Sequence, residues 1–433
     1  MDAAHDRMSG PRTVAVFNAV LSNGGDAAIL RGLERALREA SDRELRFVIF
    51  DSAPEVTAAR FPDLAVRPAL ASQVWPPADG VLARLARRAL YRRRVQKLVA
   101  AASRGRRIAR LALGAELPED PLAVLARADA IVGTGGTYLT DTYWLGPRLA
   151  ALDAVRALGR PFGLYTQSVG PLRRADTRRR LAEVFAEARL TLLRDERSAV
   201  EVRALAPSAE LGVHADAAFG LAEPAVLAAA ATREVPPAPH VVVSVREWPY
   251  FEGETADAGM ARYREAVMAA VTHVVRTWGG RVTFLSTCQG TPGYRYDDAA
   301  VARQIVVALP AEVREHVEVD ARALSPAALI ETYKAADLVI ATRMHAAILA
   351  LCGGTPVLPI AYERKTVDLF AGLGRPGWVE DIDAATGASL VSRMERVRAE
   401  LPTARADLFA RVEAARVEAL AAGVRMAEAL GLC

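Results

Sequence analysis

The sequence predicts an α/β protein of two Rossmann-like domains with a ligand cleft between them. Three observations carry this. Short β-branched runs alternate with amphipathic helical stretches, the rhythm of parallel sheets covered by helices. The rhythm stops once, between Gly220 and His240, where Pro224, Pro236, Pro237 and Pro239 crowd together. A chain of 433 residues also has room for two domains at roughly 100–200 residues each.

In the first half, strands are expected at 13–19, 46–51, 130–135, 162–170, 190–195 and 210–216, with helices over 25–40, 143–158, 175–188 and 197–204. The proline-rich break reads as a linker. The second half repeats the alternation, with strands at 241–245, 282–287, 316–320, 338–342 and 357–362 and helices over 257–277, 297–308, 326–335 and 344–352. An Ala-, Arg- and Glu-rich stretch over 404–430 reads as one long helix. The expected domains are therefore 11–225 and 238–402, followed by a C-terminal helix over 403–433. In sheets of this kind ligands bind outside the carboxyl ends of the strands.

Composition narrows the setting. Hydrophobic residues make up 52% and charged residues 24%, as in a chain that buries a real core. The total charge is +4, but residues 81–113 hold ten Arg and Lys97 with no acid. That stretch carries +11 and leaves −7 for the remainder. Two readings of this basic segment stay open: a solvated Arg-rich helix, or one that docks on an anionic membrane surface. No nucleic-acid module is visible. Cys288, Cys352 and Cys433 are far apart and form no CxxC pair, which argues against a disulfide framework or zinc site and for a reducing compartment. The first residues, MDAAHDRMSGPR, have no apolar core of a signal peptide. The apolar stretch 346–362 is interrupted by Gly353, Gly354, Pro356 and Pro359 and does not read as a membrane span. The expectation is a cytoplasmic protein, with 81–113 as its one candidate contact to the inner face of a membrane.

The strongest local signal is Ala341-Thr342-Arg343-Met344-His345, where the strand LVIAT runs straight into a helix. Thr342 reads as the N-cap, with Arg343 and His345 in the first turn. The amides and dipole of a helix start attract an anion. Arg343 offers a fork for carboxylate or phosphate, and His345 a titratable proton. Lys365 follows the next strand and returns to the same sheet edge. Glycine-rich strand-to-helix turns occur at Asn23-Gly24-Gly25-Asp26 and at Gly133-Thr134-Gly135-Gly136-Thr137, the latter leading to Asp141. Neither is a Walker loop or a GxGxxG. Gln167-Ser168-Val169-Gly170-Pro171 and Arg194-Asp195-Glu196-Arg197-Ser198 are two further strand-end turns. His214 beside Asp216 reads as a structural pair, and no ligand cluster for a metal is visible.

The ordered set NGGDAAIL, GTGGTYLTD, QSVGP, LLRDERSA, DAAF, SVRE, ATRMHAAILAL and GGTPVLPIAYERK resembles the polysaccharide pyruvyltransferase family, over about residues 14–375. Each piece is weak alone; the order makes the set specific. The resemblance implies a two-domain GT-B-type fold, phosphoenolpyruvate as donor, and a pyruvate ketal on a cell-surface sugar as product. It implies that Arg194, His345 and Lys365 bind or act on the donor. Asn23, Asp26, Gly135, Gly136, Asp141, Ser168, Ser244 and Arg246 fall in its other motifs and are further cleft candidates. Two features depart from the family: Gly135-Gly136-Thr137 stands where three glycines are frequent, and 81–113 lies outside the shared pattern.

The chemistry suits these residue types. The enol carbon of phosphoenolpyruvate must be protonated before a hydroxyl attacks C2, and His345 is the best general acid by residue type. Arg194, Arg343 and Lys365 are expected to hold the anionic groups and the departing phosphate. No metal or cofactor is required. The expected partners are phosphoenolpyruvate and a sugar or lipid-linked saccharide; Arg194 and His345 are expected to face each other across the cleft. Tyr138, Tyr143, Trp144, Trp248, Tyr250, Phe251, Tyr294 and Tyr296 are candidates for sugar stacking. The rival readings are a nucleotide-sugar glycosyltransferase of similar fold and a non-catalytic carbohydrate-binding relative.

Overall fold

The computed structural model describes residues 10–70, 120–142, 145–291 and 294–433, together with Arg93, Gln96 and Lys97. The expected basic helix over 81–113 therefore lies outside the described residues except for those three, which are helical and exposed. Tyr143 and Trp144 also lie outside them.

The chain forms two compact units. One comprises Met1–Leu21, Ile29–Gly220 and Val417–Cys433; the other comprises Ser22–Ala28 and Leu221–Arg416. This differs from a division at one linker in two places. The short segment carrying Asn23 and Asp26 belongs with the second half of the chain, and the last residues of the C-terminal helix belong with the first.

Counted over the described residues, the first unit holds an eight-stranded sheet. Its strands are β1 (Arg12–Ala19), β2 (Leu45–Asp51), β3 (Ala65–Pro68), β4 (Ala130–Gly133), β5 (Gly136–Leu139), β6 (Phe162–Val169), β7 (Thr191–Leu193) and β8 (Leu211–Val213). The order is β3-β2-β1-β4-β6-β7-β8, with β5 also pairing β6, and the pairings are parallel. In the second unit, β9 (His240–Ser244), β10 (Arg281–Leu285), β13 (Val317–Asp320), β14 (Leu338–Ala341), β15 (Val357–Ala361) and β16 (Glu380–Asp381) form a parallel sheet. Its order is β13-β10-β9-β14-β15-β16. A small antiparallel hairpin joins β11 (Gln289–Thr291) to β12 (Tyr294–Asp297).

Parallel strands covered by helices on both faces are apolar throughout. Every residue of β4, β6, β14 and β15 is accordingly buried. In each sheet the chain starts at a central strand, builds outward to one side, then returns to build on the other. The reversal lies between β1 and β4 in one unit and between β9 and β14 in the other. Such a reversal opens a crevice at the carboxyl ends of the two strands.

Three readings of the sequence are corrected. The break at 220–240 contains a helix, Pro224–Ala231, because Pro224 sits at its start, where a missing N–H costs nothing. The C-terminal helix begins at Gly387, not 404, and runs to Leu430 through Pro402. Burial of Leu390, Met394, Val397, Leu401, Leu408, Phe409 and Val412 along it offsets the lost hydrogen bond. Arg343, not Thr342, is the N-cap of helix Met344–Cys352. The Thr342 hydroxyl is occupied by Tyr263, at 2.7 Å.

Helix Gly24–Ala40 lies against the first unit's backbone at Gly32, where an added Cβ would stand 1.9 Å from the Ala217 carbonyl oxygen. That neighbour is main chain and cannot swing aside. Gly32→Ala should therefore cost about 1–3 kcal/mol of stability as an overpacked contact, read as a lowered midpoint in urea. An unchanged midpoint would mean the contact is not this close.

Candidate functional site

The expected site residues divide between the two units. Gly135, Gly136, Asp141, Ser168 and Arg194 fall in the first; Asn23, Asp26, Ser244, Arg246, Arg343, His345 and Lys365 fall in the second. Each group gathers at the carboxyl ends of its own parallel strands.

In the first unit, Arg194 follows β7 and its side chain is 6% exposed. Its Nε donates to Ser168 Oγ at 2.6 Å and its NH1 to Asp216 Oδ2 at 2.8 Å, while NH2 donates to Thr137 Oγ1. Ser168 in turn donates to Asp195 Oδ2 at 3.0 Å, and Asp195 caps helix Glu196–Leu205 through the Ser198 amide. The guanidinium expected to grip the donor is thus held inside the protein by a carboxylate and two hydroxyls. His214, read beside Asp216 as structural, lies 3.4 Å from Arg425, and burial followed by that cation's charge lowers its pKa.

The glycines here answer to close approach. A Cβ on Gly135 would meet Thr166 Oγ1 at 2.6 Å, and Gly136, at φ 152°, would meet the Tyr138 ring at 2.8 Å. Thr166 itself adopts φ 42°, a left-handed backbone rare for a β-branched residue. It lies where the register of β6 against β7 shifts between Leu164 and Gln167. Asp141 Oδ2 accepts from the backbone amides of Arg173 and Arg174, the latter at 2.9 Å.

In the second unit, β9 and β14 flank the sheet's reversal. Two residues beyond β9, Arg246 is 8% exposed and stands over three rings: Tyr362 at 4.0 Å, Trp248 at 5.1 Å and Tyr296 at 5.6 Å. Its Nε donates to the Glu247 carbonyl at 3.1 Å, and no carboxylate pairs with it among the described residues. Ser244, fully buried at the end of β9, has no hydrogen-bond partner for its hydroxyl among the described residues. The Tyr263 hydroxyl, pushed up to about 12 chiefly by burial, ties the Arg246 backbone to Thr342 and so links the ends of β9 and β14.

Arg343 is not the open fork expected. Its Nε and NH2 edge lies on the Asp298 carboxylate, at 2.5–2.8 Å, with the two side chains 9% and 1% exposed. His345, in the first turn of helix Met344–Cys352, packs on Gly25: a Cβ there would stand 2.6 Å from its Nδ1. No side chain caps that helix, and none caps helix Arg364–Gly372 after the adjacent strand β15. Lys365 occupies the first turn of the latter, paired with Glu363 and 5.7 Å from the Tyr362 ring. Asn23 Oδ1 accepts from the Gly25 amide at 2.9 Å, and Asp26 lies in the first turn of its helix, where a carboxylate suits the positive end.

Sequence reasoning missed Asp298 and Tyr263, and it named Asp216 without its partner Arg194. Asp298 follows Asp297, which caps helix Asp298–Ala308, so the pair reads as ordinary capping residues. An aspartate one residue beyond a sufficient cap was the available signal.

The buried Arg194–Asp216 pair gives a direct test. Arg194→Ala should cost about 3–5 kcal/mol, because Asp216 is left buried without its cation. The loss is read by urea unfolding. A variant as stable as the parent would show that Arg194 is not held as described.

With this geometry in place, comparison with known proteins is informative. The family model described as polysaccharide pyruvyl transferase matches residues 23–364. The amylovoran biosynthesis protein AmsJ of Erwinia amylovora is 24% identical over 411 residues, which cover 89% of this chain and 92% of that protein. Two solved structures are similar in fold. The UDP-GlcNAc 2-epimerase of Neisseria meningitidis has a TM-score of 0.56 at 10% identity, covering 97% of this chain and 99% of its own. Anabaena Alr3699/HepE in complex with UDP-glucose has 0.54 at 12% identity, with the same coverage. Likenesses at these identities speak for fold alone, and the fold is α/β with two Rossmann-like domains of the GT-B type. The match to the family model spans most of the chain, and the chain belongs to the polysaccharide pyruvyl transferase family.

Proposed function

We propose that this transferase moves the pyruvyl group of phosphoenolpyruvate onto two hydroxyls of one sugar, forming a pyruvate ketal in a cell-surface polysaccharide or glycoconjugate, and that it works in the cytoplasm. The observation that carries the reading is Arg246, a buried cation with no carboxylate partner among the described residues, beside the strand whose helix bears His345. A cation held only by aromatic faces and a carbonyl keeps its full charge for an anion.

Phosphoenolpyruvate brings a carboxylate and a phosphate. In the proposal these charges meet Arg246, Lys365 and the starts of helices Met344–Cys352 and Arg364–Gly372, which no side chain caps. Arg343 and Arg194 serve as framework, since each is held on a buried carboxylate. His345 gives a proton to C3 of the enol, and C2 takes on oxocarbenium character. A sugar hydroxyl attacks C2 and loses its proton. The C2–O bond to phosphate then breaks with its electron pair on phosphate, and a second hydroxyl of the same sugar closes the ketal. The step balances as donor plus diol giving ketal plus inorganic phosphate. For the sugar, Tyr250 is the stacking candidate. It is 62% exposed, and its ring meets Trp248 edge-on at 5.3 Å.

Calorimetry should detect phosphoenolpyruvate binding and no binding from a panel of nucleotide sugars; the reverse result would replace pyruvyl transfer by glycosyl transfer. His345→Ala should lower turnover about 10²–10⁴-fold with donor binding largely kept. Arg246→Ala should weaken donor binding about ten- to a hundred-fold, the worth of a charged hydrogen bond. Near-normal turnover in His345→Ala would remove it as the acid. Tyr250→Ala should raise the KM for the saccharide and leave the donor KM unchanged.

A further inference from the structure

The second unit contains a closed chain of contacts that begins and ends beside His345. Asp298 is 1% exposed. Its Oδ2 accepts from the Thr287 amide at 3.2 Å, the Thr287 hydroxyl at 3.0 Å and the Cys288 amide at 3.1 Å, and from Arg343 Nε at 2.7 Å. Its Oδ1 takes Arg343 NH2 at 2.5 Å. One carboxylate therefore fixes two things: the residue that opens the His345 helix, and the turn at Thr287–Cys288.

That turn is a dock. The Thr287 carbonyl accepts from the Gly24 amide at 3.0 Å, and Cys288 forms an antiparallel bridge with Asn23. The Cys288 thiol reaches Asn23 Oδ1 at 3.6 Å. A Cβ on Gly24 would stand 2.9 Å from the Thr287 carbonyl oxygen, so the approach requires glycine. Gly25 follows, and the position of its absent Cβ lies 2.6–2.8 Å from His345 Nδ1, Cγ and Cβ. The imidazole thus rests on a bare backbone that is itself seated on the Thr287–Cys288 turn.

We propose that Asp298 is a positioning residue for His345. It sets Arg343 at the start of the helix that carries the imidazole, and it sets the turn on which Asn23–Gly25, the imidazole's seat, is docked. Both sides of the ring's placement then depend on one buried charge. The catalytic consequence rests on the reading above, in which His345 is the general acid. The placement itself does not.

Two variants attack the circuit at opposite ends. Asp298→Asn keeps the shape, removes the charge and sets an amide N–H₂ among donors. Gly25→Ala leaves the Asp298 contacts untouched and puts a methyl group into the ring. The first readout needs no turnover. Carbethoxylation of His345 by diethylpyrocarbonate, followed by peptide mass, should accelerate severalfold in both variants, while His214, His240 and His316 in the same sample keep their rates. The second readout is kinetic, with phosphoenolpyruvate and a saccharide acceptor. Each variant should lose about 10²-fold in kcat, the usual cost of an ångström of misplacement, with the KM for phosphoenolpyruvate nearly unchanged. The double variant should be no slower than the slower single one. Unchanged His345 reactivity in a folded Asp298→Asn protein, or kcat losses that multiply in the double variant, would overturn the proposal. Should Asp298→Asn fail to fold, Asp298→Glu, which keeps the charge and displaces it, replaces it under the same criteria. A parent enzyme that turns over no phosphoenolpyruvate would defeat the functional reading alone, and the reactivity arm would still decide the positioning role.

Discussion

A carboxylate with 1% of its surface exposed imposes conditions on everything around it. Removing such a charge from water costs several kcal/mol even after relaxation, and only a paired, fully hydrogen-bonded geometry recovers the loss. Asp298 meets that condition with a guanidinium, two amides and a hydroxyl. Those donors come from two pieces of the carboxyl edge of the second sheet, the Thr287–Cys288 turn after β10 and Arg343 after β14. The charge consequently specifies where the β10 turn and the β14 helix start must lie relative to each other. A well-packed apolar replacement could be as stable, but it would carry no directional demand. The worth of the pair lies in that geometry.

The first unit uses the same device at the same place in its own sheet. Arg194 and Asp216 are 6% exposed each, and the remaining guanidinium nitrogens go to hydroxyls on β5 and β6. In both units, then, an arginine that looks from the sequence like a ligand for an anion is already neutralised by a buried aspartate. Arg246 is the contrast. Aromatic faces attract a cation by about 2 kcal/mol when desolvated, but they supply no opposite charge. An anion arriving beside Arg246 gains a Coulombic partner that neither Arg194 nor Arg343 can offer without giving up its own. In the proposed reading this difference separates framework from binding group more sharply than residue type does.

What the sequence could reveal follows from how local each feature is. Most strands of both sheets were legible because a parallel strand buried on both faces is a short apolar run, as in LVIA and AIVG, whereas the short strands β3, β5 and β16 carry no such run and were missed. The turns after β1 and β14 were legible because each leads into a helix and carries glycines or charges, whereas Gly133–Thr137, read as a strand-to-helix turn, runs instead into strand β5. The length of the C-terminal helix was not, because Pro402 looks like a stop and only tertiary burial of Leu401 and Leu408 overrides it. The N-cap was misplaced by one residue because Thr342 has the chemistry of a cap, and its engagement by Tyr263 is a contact across 79 residues. The same limit hid Asp298 and the arginine partner of Asp216: a carboxylate's partner 45 or 22 residues away leaves no local trace. Membership of Asn23–Gly25 in the second unit could not be read either. The contacts that place it there, to Thr287, Cys288 and His345, are remote.

The two glycine-rich turns now separate in kind. Gly24 and Gly25 are glycines because another part of the unit occupies the space of a Cβ, a carbonyl in one case and the imidazole in the other. In the first unit, Gly135 and Gly136 are constrained by Thr166 and Tyr138, but the third position of that run is Thr137. Where three glycines are frequent in this family, this chain carries a hydroxyl, and the hydroxyl accepts from Arg194 NH2. A glycine there would leave that nitrogen, on a side chain only 6% exposed, to find another acceptor. The departure from the pattern is therefore compensated within its own site. Thr137, Ser168 and Asp216 together satisfy the three nitrogens of Arg194, and the family's arginine is retained here inside a network that this sequence completes in its own way.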